Sequence, residues 1–212
     1  MTDPLTQIRR AYRYIAAYER RVLDAIDVLD EAVRELGFER NRPYRWMPLY
    51  SAFPSRSYAP ESWVWDGLPN YAMRYQWREG EPNTPGSRWV LADHVADTSF
   101  ESRRTTESGE PSPLDDLAPA ESSHSVLRWH MIRFEGSIPD KVYNASWDKL
   151  METQLGSPAS ERRLDTPTPE PRTTRVPPLV HTLHCVDIAA LTQPESLRER
   201  FVDPLVDLLR RG

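Results

Sequence analysis

Apolar residues near the start of the chain recur at alternating spacings of three and four, which is the heptad pattern of one helix face. This seam consists of Ile8, Tyr12, Ile15, Val22, Ile26, Leu29, Val33 and Leu36. It is interrupted once, at Glu19. Asp3 followed by Pro4 is a favourable helix start, and Gly37 supplies the left-handed residue that often ends a helix. The pattern predicts a helix from about Pro4 to Leu36.

The length of this helix bears on function. At 1.5 Å per residue it extends about 50 Å, which exceeds the width of a compact domain of this size. Part of the seam is then expected to project beyond the domain, where another helix or a second copy of the chain would cover it. The alternative is a helix packed along its own sheet. On the first interpretation the candidate binding residues are Ile8, Ile15, Val22 and Ile26.

Beyond Gly37 the hydrophobic period changes to two, the period of a strand with one apolar face. Tyr71, Met73, Tyr75 and Trp77 alternate with small or polar residues. Comparable segments run over 88–95, 125–135 and 179–188. Residues 79–87 contain two prolines and two glycines and are typical of a hairpin loop. The sequence therefore predicts an antiparallel sheet of about four to six strands.

The end of the chain returns to a helical pattern after Pro194, and Asp203 followed by Pro204 predicts a kink or a restart. One face is apolar, and it carries Leu197, Phe201, Leu205 and Leu208. We expect a single α+β domain over residues 1–212, with the sheet covered by the long N-terminal helix and the C-terminal helix. Two polar or proline-rich segments, at about 98–124 and 156–178, are predicted to be long loops.

Composition narrows the possible partners. The 212 residues include 27 basic and 32 acidic side chains, which gives a net charge of −5. A chain of this charge does not concentrate on nucleic acid or anionic membranes, so we expect neither as a partner. All but two of the basic residues are arginine, as a GC-rich bacterial or phage-like genome would produce. A single cysteine and the lack of a signal or spanning segment indicate a cytoplasmic protein.

Candidate catalytic residues cluster in the last predicted strand, where His181, His184 and Cys185 occur together. In a strand, His181 and Cys185 share one face and His184 takes the other, which divides the cluster. A cysteine nucleophile with a histidine base such as His130 is chemically possible. A zinc site needs three or four ligands at suitable spacings, which the sequence does not show. We therefore expect no metal and no cofactor.

Aromatic residues provide a second candidate site. Trp63 and Trp65 precede the strand that contains Arg74 and Arg78. Aromatic rings on a sheet, with arginines beside them, can stack on a base, a sugar or the side chain of a partner. The same rings can instead form the core beneath the long helix.

Taken together, these features favour a non-catalytic cytoplasmic protein that binds a macromolecule, as an adaptor, an inhibitor, or an immunity or defence-related accessory factor. A protein partner or self-association is expected. Two alternatives stay open. One is a hydrolase or transferase that uses dispersed His, Asp, Glu and Cys side chains, and the other is a module that sequesters a small aromatic or nucleotide ligand.

Overall fold

A computed structural model of the chain describes residues 3–40, 47–48, 72–81, 84–98, 119–136, 168–173 and 179–211. At 47–48, 72, 168–173 and 179 the description covers the backbone alone. Trp63 and Trp65, and most of the loop expected at 98–124, lie outside the described residues.

The described strands form one antiparallel sheet. They are β1 (Glu39–Arg40), β2 (Met47–Pro48), β3 (Ala72–Glu79), β4 (Arg88–Val95), β5 (Val126–Phe134), β6 (Thr168–Thr173) and β7 (Leu179–Asp187). Their order is β1-β3-β4-β5-β7-β6, and β2 also pairs with β3. β1 and β2 have two residues each, so five longer strands build the sheet. With a helix at each end of the chain, the predicted α+β class is confirmed.

Helix α1 runs over Pro4–Glu35, close to its predicted bounds. The Asp3 carboxylate accepts hydrogen bonds from the backbone N–H groups of Leu5 and Thr6, which have no partner within the helix. Gly37 has a φ of 90°, in the left-handed region that glycine adopts without strain. Both ends of α1 are thus set by the residues that predicted them.

The C-terminal helix consists of an α-turn at Pro194–Leu197, a π-turn at Arg198–Val202 and an α-helix at Asp203–Arg210. The backbone N–H of Asp203 donates to the carbonyl of Arg198, five residues earlier. Pro204 has no N–H to donate, so the regular hydrogen-bond pattern is broken at this point. The sequence predicted a kink or a restart here, and the structure has a π-turn followed by a new α-helical segment at Asp203.

Apolar side chains are buried on both faces of the sheet. On one face, Met73, Tyr75 and Trp77 share a core with the second half of α1 and with the C-terminal helix. On the other face, Trp89, Leu91, Ile132 and Leu183 are buried outside that core. Each of these large side chains contributes about 1.5–3 kcal/mol to folding by leaving water.

Helix α1 is buried along only half of its length. From Val22 onwards its seam belongs to the core, and Val22 and Ile26 are 1% and 3% exposed. In its first half the exposed large hydrophobic residues are Leu5 (60%), Ile8 (51%), Tyr12 (64%), Tyr14 (74%) and Ile15 (37%). We call residues 4–17 the overhang, which is about 21 Å long. The second half of the seam thus packs on the chain's own domain, and the first half is exposed. Of the four candidate binding residues on α1, only Ile8 and Ile15 are accessible.

Strand β6 lies within the segment that the sequence predicted to be a loop at 156–178. It contains Pro169 and Pro171 and occupies one edge of the sheet. Proline lacks the N–H that a central strand must donate to both neighbours, but an edge strand tolerates it. The inference from the prolines that this segment is not a central strand is confirmed. The prediction of a loop is wrong at Thr168–Thr173, where the structure has an edge strand.

Candidate functional site

A connected group of charged and polar side chains lies on the sheet face opposite α1. We call it the polar row, and it comprises Arg74 on β3, Asp93 on β4, Arg128 and His130 on β5, and His181 on β7. Strand register explains the grouping, because Asp93 pairs directly with both Arg74 and Arg128. His130 and His181 lie one diagonal step further along the sheet, which is within reach of long side chains.

Asp93 is the centre of the polar row and is fully buried. Arg74 binds it through two bonds, with Nε 2.6 Å from Oδ1 and Nη2 2.8 Å from Oδ2. Nε of Arg128 lies 3.2 Å from Oδ2. Bidentate arginine–carboxylate pairs are among the strongest hydrogen-bonded contacts in proteins, and burial strengthens them further.

The two histidines extend the polar row away from Asp93. Nε2 of His130 lies 3.0 Å from Oδ2 of Asp93, and its Nδ1 lies 3.0 Å from Nε2 of His181. An ionised carboxylate only accepts hydrogen bonds, so Nε2–H of His130 donates a hydrogen bond to Asp93. In neutral His130 the Nδ1 atom then accepts from the Nε2–H of His181. The carboxylate thereby fixes both tautomers.

The environment sets the charges of the polar row. Burial alone would raise the pKa of Asp93, but the adjacent Arg74 guanidinium and the hydrogen bonds from Arg74 and His130 hold it well below its usual range. Burial lowers the pKa of His130 to about 4, against the opposing effect of Asp93. At neutral pH, Asp93 is therefore ionised and His130 is neutral. Chemically, the arrangement is a potential proton path from His181 through His130 to Asp93.

Two further histidines lie on the α1 side of the sheet. Nε2 of His94 is 2.8 Å from the hydroxyl oxygen of Tyr18, at the point where α1 becomes buried. Burial lowers the pKa of His94 to about 4 and raises the pKa of Tyr18 to about 12. His184 donates from Nε2 to the backbone carbonyl of Arg200 over 2.6 Å. That bond fastens β7 to the C-terminal helix.

The structure separates the predicted catalytic residues. His130 and His181 are in hydrogen-bond contact, while His184 lies on the opposite face of the sheet. Cys185 is on the same face as His181, opposite Arg128 in the strand register. Within the described residues, no group of three His, Cys, Asp or Glu side chains could hold a metal ion.

Sequence reasoning missed Arg128 and had no reason to select Asp93 from the other carboxylates. A signal was present, because Asp93, Arg128 and His130 lie in strands whose other residues are mostly apolar on both faces. Of the two arginines predicted for binding, Arg74 is held by Asp93 with 16% of its side chain exposed. Arg78 lies opposite Trp89 in the strand register and is half-buried.

The histidine environments predict acid destabilisation. His94 and His130 have pKa values near 4 in the folded chain, against an ordinary value of 6.5. Between these values the unfolded chain binds more protons, so the free energy of unfolding falls as pH decreases from about 6.5 to 4. The slope approaches about 1.4 kcal/mol per pH unit for each histidine. Below that window, protonation of Asp93 lowers stability further.

Urea denaturation at neutral and mildly acidic pH measures this effect. The matched variant is His94→Gln, which removes one buried imidazole and keeps an amide for Tyr18. We expect the variant to lose less stability than the wild type over the same pH step. Equal stability of the wild type at both pH values would contradict the lowered pKa values of His94 and His130.

Comparison with known proteins places the chain in a family. No curated protein and no solved structure matches it. Among the described residues there is also no helix with the length and apolar character needed to cross a bilayer. A family model with the description PM0109 matches residues 1–204, which include α1, the whole sheet and most of the C-terminal helix. The chain belongs to the PM0109 family.

Proposed function

We propose that this protein acts by binding another protein through the overhang of α1, as a non-catalytic adaptor, inhibitor or accessory factor. The observation that supports this proposal is the exposed stripe of Leu5, Ile8, Tyr12 and Ile15. These residues continue the seam whose second half is buried in the core. Apolar residues grouped in this way on a surface are typical of interaction sites.

The overhang is suited to docking because it is preformed. A free helix of 14 residues is marginal in water, but this one continues a packed helix and so needs no new nucleation. Little ordering entropy then remains to be lost on binding. A partner can place a complementary groove over the stripe at spacings of three and four residues.

Charge defines the chemistry of the partner. Residues 3–17 contain Arg9, Arg10 and Arg13 against Asp3, for a local charge of 3 − 1 = +2. Arginines near a helix N-terminus oppose the helix dipole. Arg9 forms an exposed ion pair with Asp3 over 3.4 Å, whereas Arg10 and Arg13 form no ion pair within the described residues. These arginines favour docking on an acidic surface. We therefore propose a partner with an apolar groove bordered by carboxylates, and a cytoplasmic location in line with the single cysteine.

A hydrolase or transferase is the second candidate, and the contact between His130 and His181 favours it. The bonded series from Asp93 through two imidazoles has the order of an acid–base relay. Catalysis would require a substrate to reach one of these rings. Both histidines are 2% exposed, so binding through the overhang has the stronger support.

Photo-crosslinking at the stripe tests the binding proposal. With p-benzoylphenylalanine in place of Tyr12, irradiation of cells that natively make the protein should yield one specific protein adduct. The matched control carries the same group at Glu31, which is exposed on the buried half of α1. Adding Ile8→Asp and Ile15→Asp should abolish the adduct, because both changes place charge in the stripe. The proposal fails if both positions give equal adducts, or if the adduct persists in the doubly charged variant.

Chemical modification of histidines distinguishes the second candidate. Diethyl pyrocarbonate should modify His124 in the folded protein, since 52% of its side chain is exposed. His130 and His181 should react only after unfolding. Mass spectrometry of peptides over a time course measures both. If His130 or His181 reacts as fast as His124, the polar row is accessible and the catalytic alternative becomes the better proposal.

A further inference from the structure

We infer that the partner of the overhang is a second copy of this chain, whose C-terminal helix offers a groove for it. This inference rests on the proposed function and adds the identity of the partner. Two surfaces carry it, at opposite ends of the sequence and with opposite charge.

The groove lies along the C-terminal helix, is open to solvent on one side and has a volume of about 340 Å³. Among the described residues it is lined by Glu199, Asp203, Pro204, Asp207, Leu208 and Arg211. Pro204 and Leu208 are half-buried and supply its apolar surface, while the three carboxylates are exposed. The groove therefore combines an apolar floor with an acidic border, as the overhang requires.

The two surfaces carry opposite charges at the same spacing. The described lining of the groove holds three carboxylates and one arginine, for a charge of 1 − 3 = −2, and the overhang holds three arginines and no carboxylate. Its carboxylates occur every fourth residue, and Arg9 and Arg13 are also four residues apart on one flank of the stripe. Side chains at this spacing are neighbours about 5–6 Å apart on a helix. Two guanidinium groups can thus meet two carboxylates when the helices lie side by side.

The carboxylates are available for such pairing. Neither Glu199 nor Asp203 nor Asp207 forms an ion pair with any residue in the described part of the chain. The exposure of the overhang shows in turn that it does not occupy the groove of its own chain. Every copy carries both surfaces. In a pair of copies, the overhang of each chain can therefore lie in the groove of the other, and the pair is closed.

Sedimentation velocity on the purified full chain, from low to high micromolar concentration, tests the inference. We expect a monomer–dimer equilibrium that salt weakens. A groove variant, Glu199→Arg with Asp207→Arg, and an overhang variant, Arg9→Glu with Arg13→Glu, should each raise the dimer Kd by roughly tenfold or more. An equimolar mixture of the two variants should restore the dimer, because each reversed surface then meets a reversed surface.

Matched controls reverse charges beside these surfaces. Arg21→Glu lies on α1 away from the stripe, and Arg210→Glu lies at an exposed position of the C-terminal helix that does not line the groove. Both should leave the dimer intact. A wild type that stays monomeric at every concentration overturns the inference, as does a dimer that survives the groove variant.

These failures are distinguishable from failure of the proposed function. If Ile8→Asp abolishes a dimer that the groove variant leaves intact, the overhang is still the docking face, and only the assignment of the groove as its binding site is wrong. If the wild type is monomeric but position 12 crosslinks to a different protein, the overhang binds a partner and only the inference that this partner is a second copy is wrong. If Ile8→Asp changes neither dimerisation nor crosslinking, both proposals are wrong.

Discussion

The central constraint on this protein is that helix α1 is longer than the surface on which it packs. Its 32 residues extend about 48 Å, and its seam enters the core only from Val22 onwards. The apolar spacing nevertheless continues without a change of phase into the exposed half. Burial in the domain therefore accounts for the second half of the seam, and the proposed binding partner would cover the exposed first half.

The sheet face opposite α1 differs from the α1 face, because buried ion pairs lie at its centre. Asp93 is buried between Arg74 and Arg128, and loss of one member of a buried ion pair costs about 3–5 kcal/mol. A slip of one residue in β4 would move the carboxylate to the α1 side and separate it from both arginines. The polar row thus specifies the register of β3, β4 and β5. This structural role is sufficient to explain its burial without a substrate.

Local features of the structure could be read from the sequence, and features that depend on strand order could not. Asp3 and Gly37 predicted the ends of α1, and the period of two predicted β3, because each signal depends on neighbouring residues. The polar row joins positions up to 107 residues apart, and it forms only once β5 lies between β4 and β7. Strand β6 was missed for a related reason, since Pro169 is compatible with a strand only at an edge.

Hydrogen–deuterium exchange along α1 in dilute solution is the most direct test of the central claim. Backbone amides in a helix exchange through local opening, and packing against a core suppresses that opening. Amides at 22–35 should be strongly protected, while those at 7–17 should exchange orders of magnitude faster. Equal protection of the two halves in dilute solution would contradict this account, because it would mean that the domain itself covers the overhang.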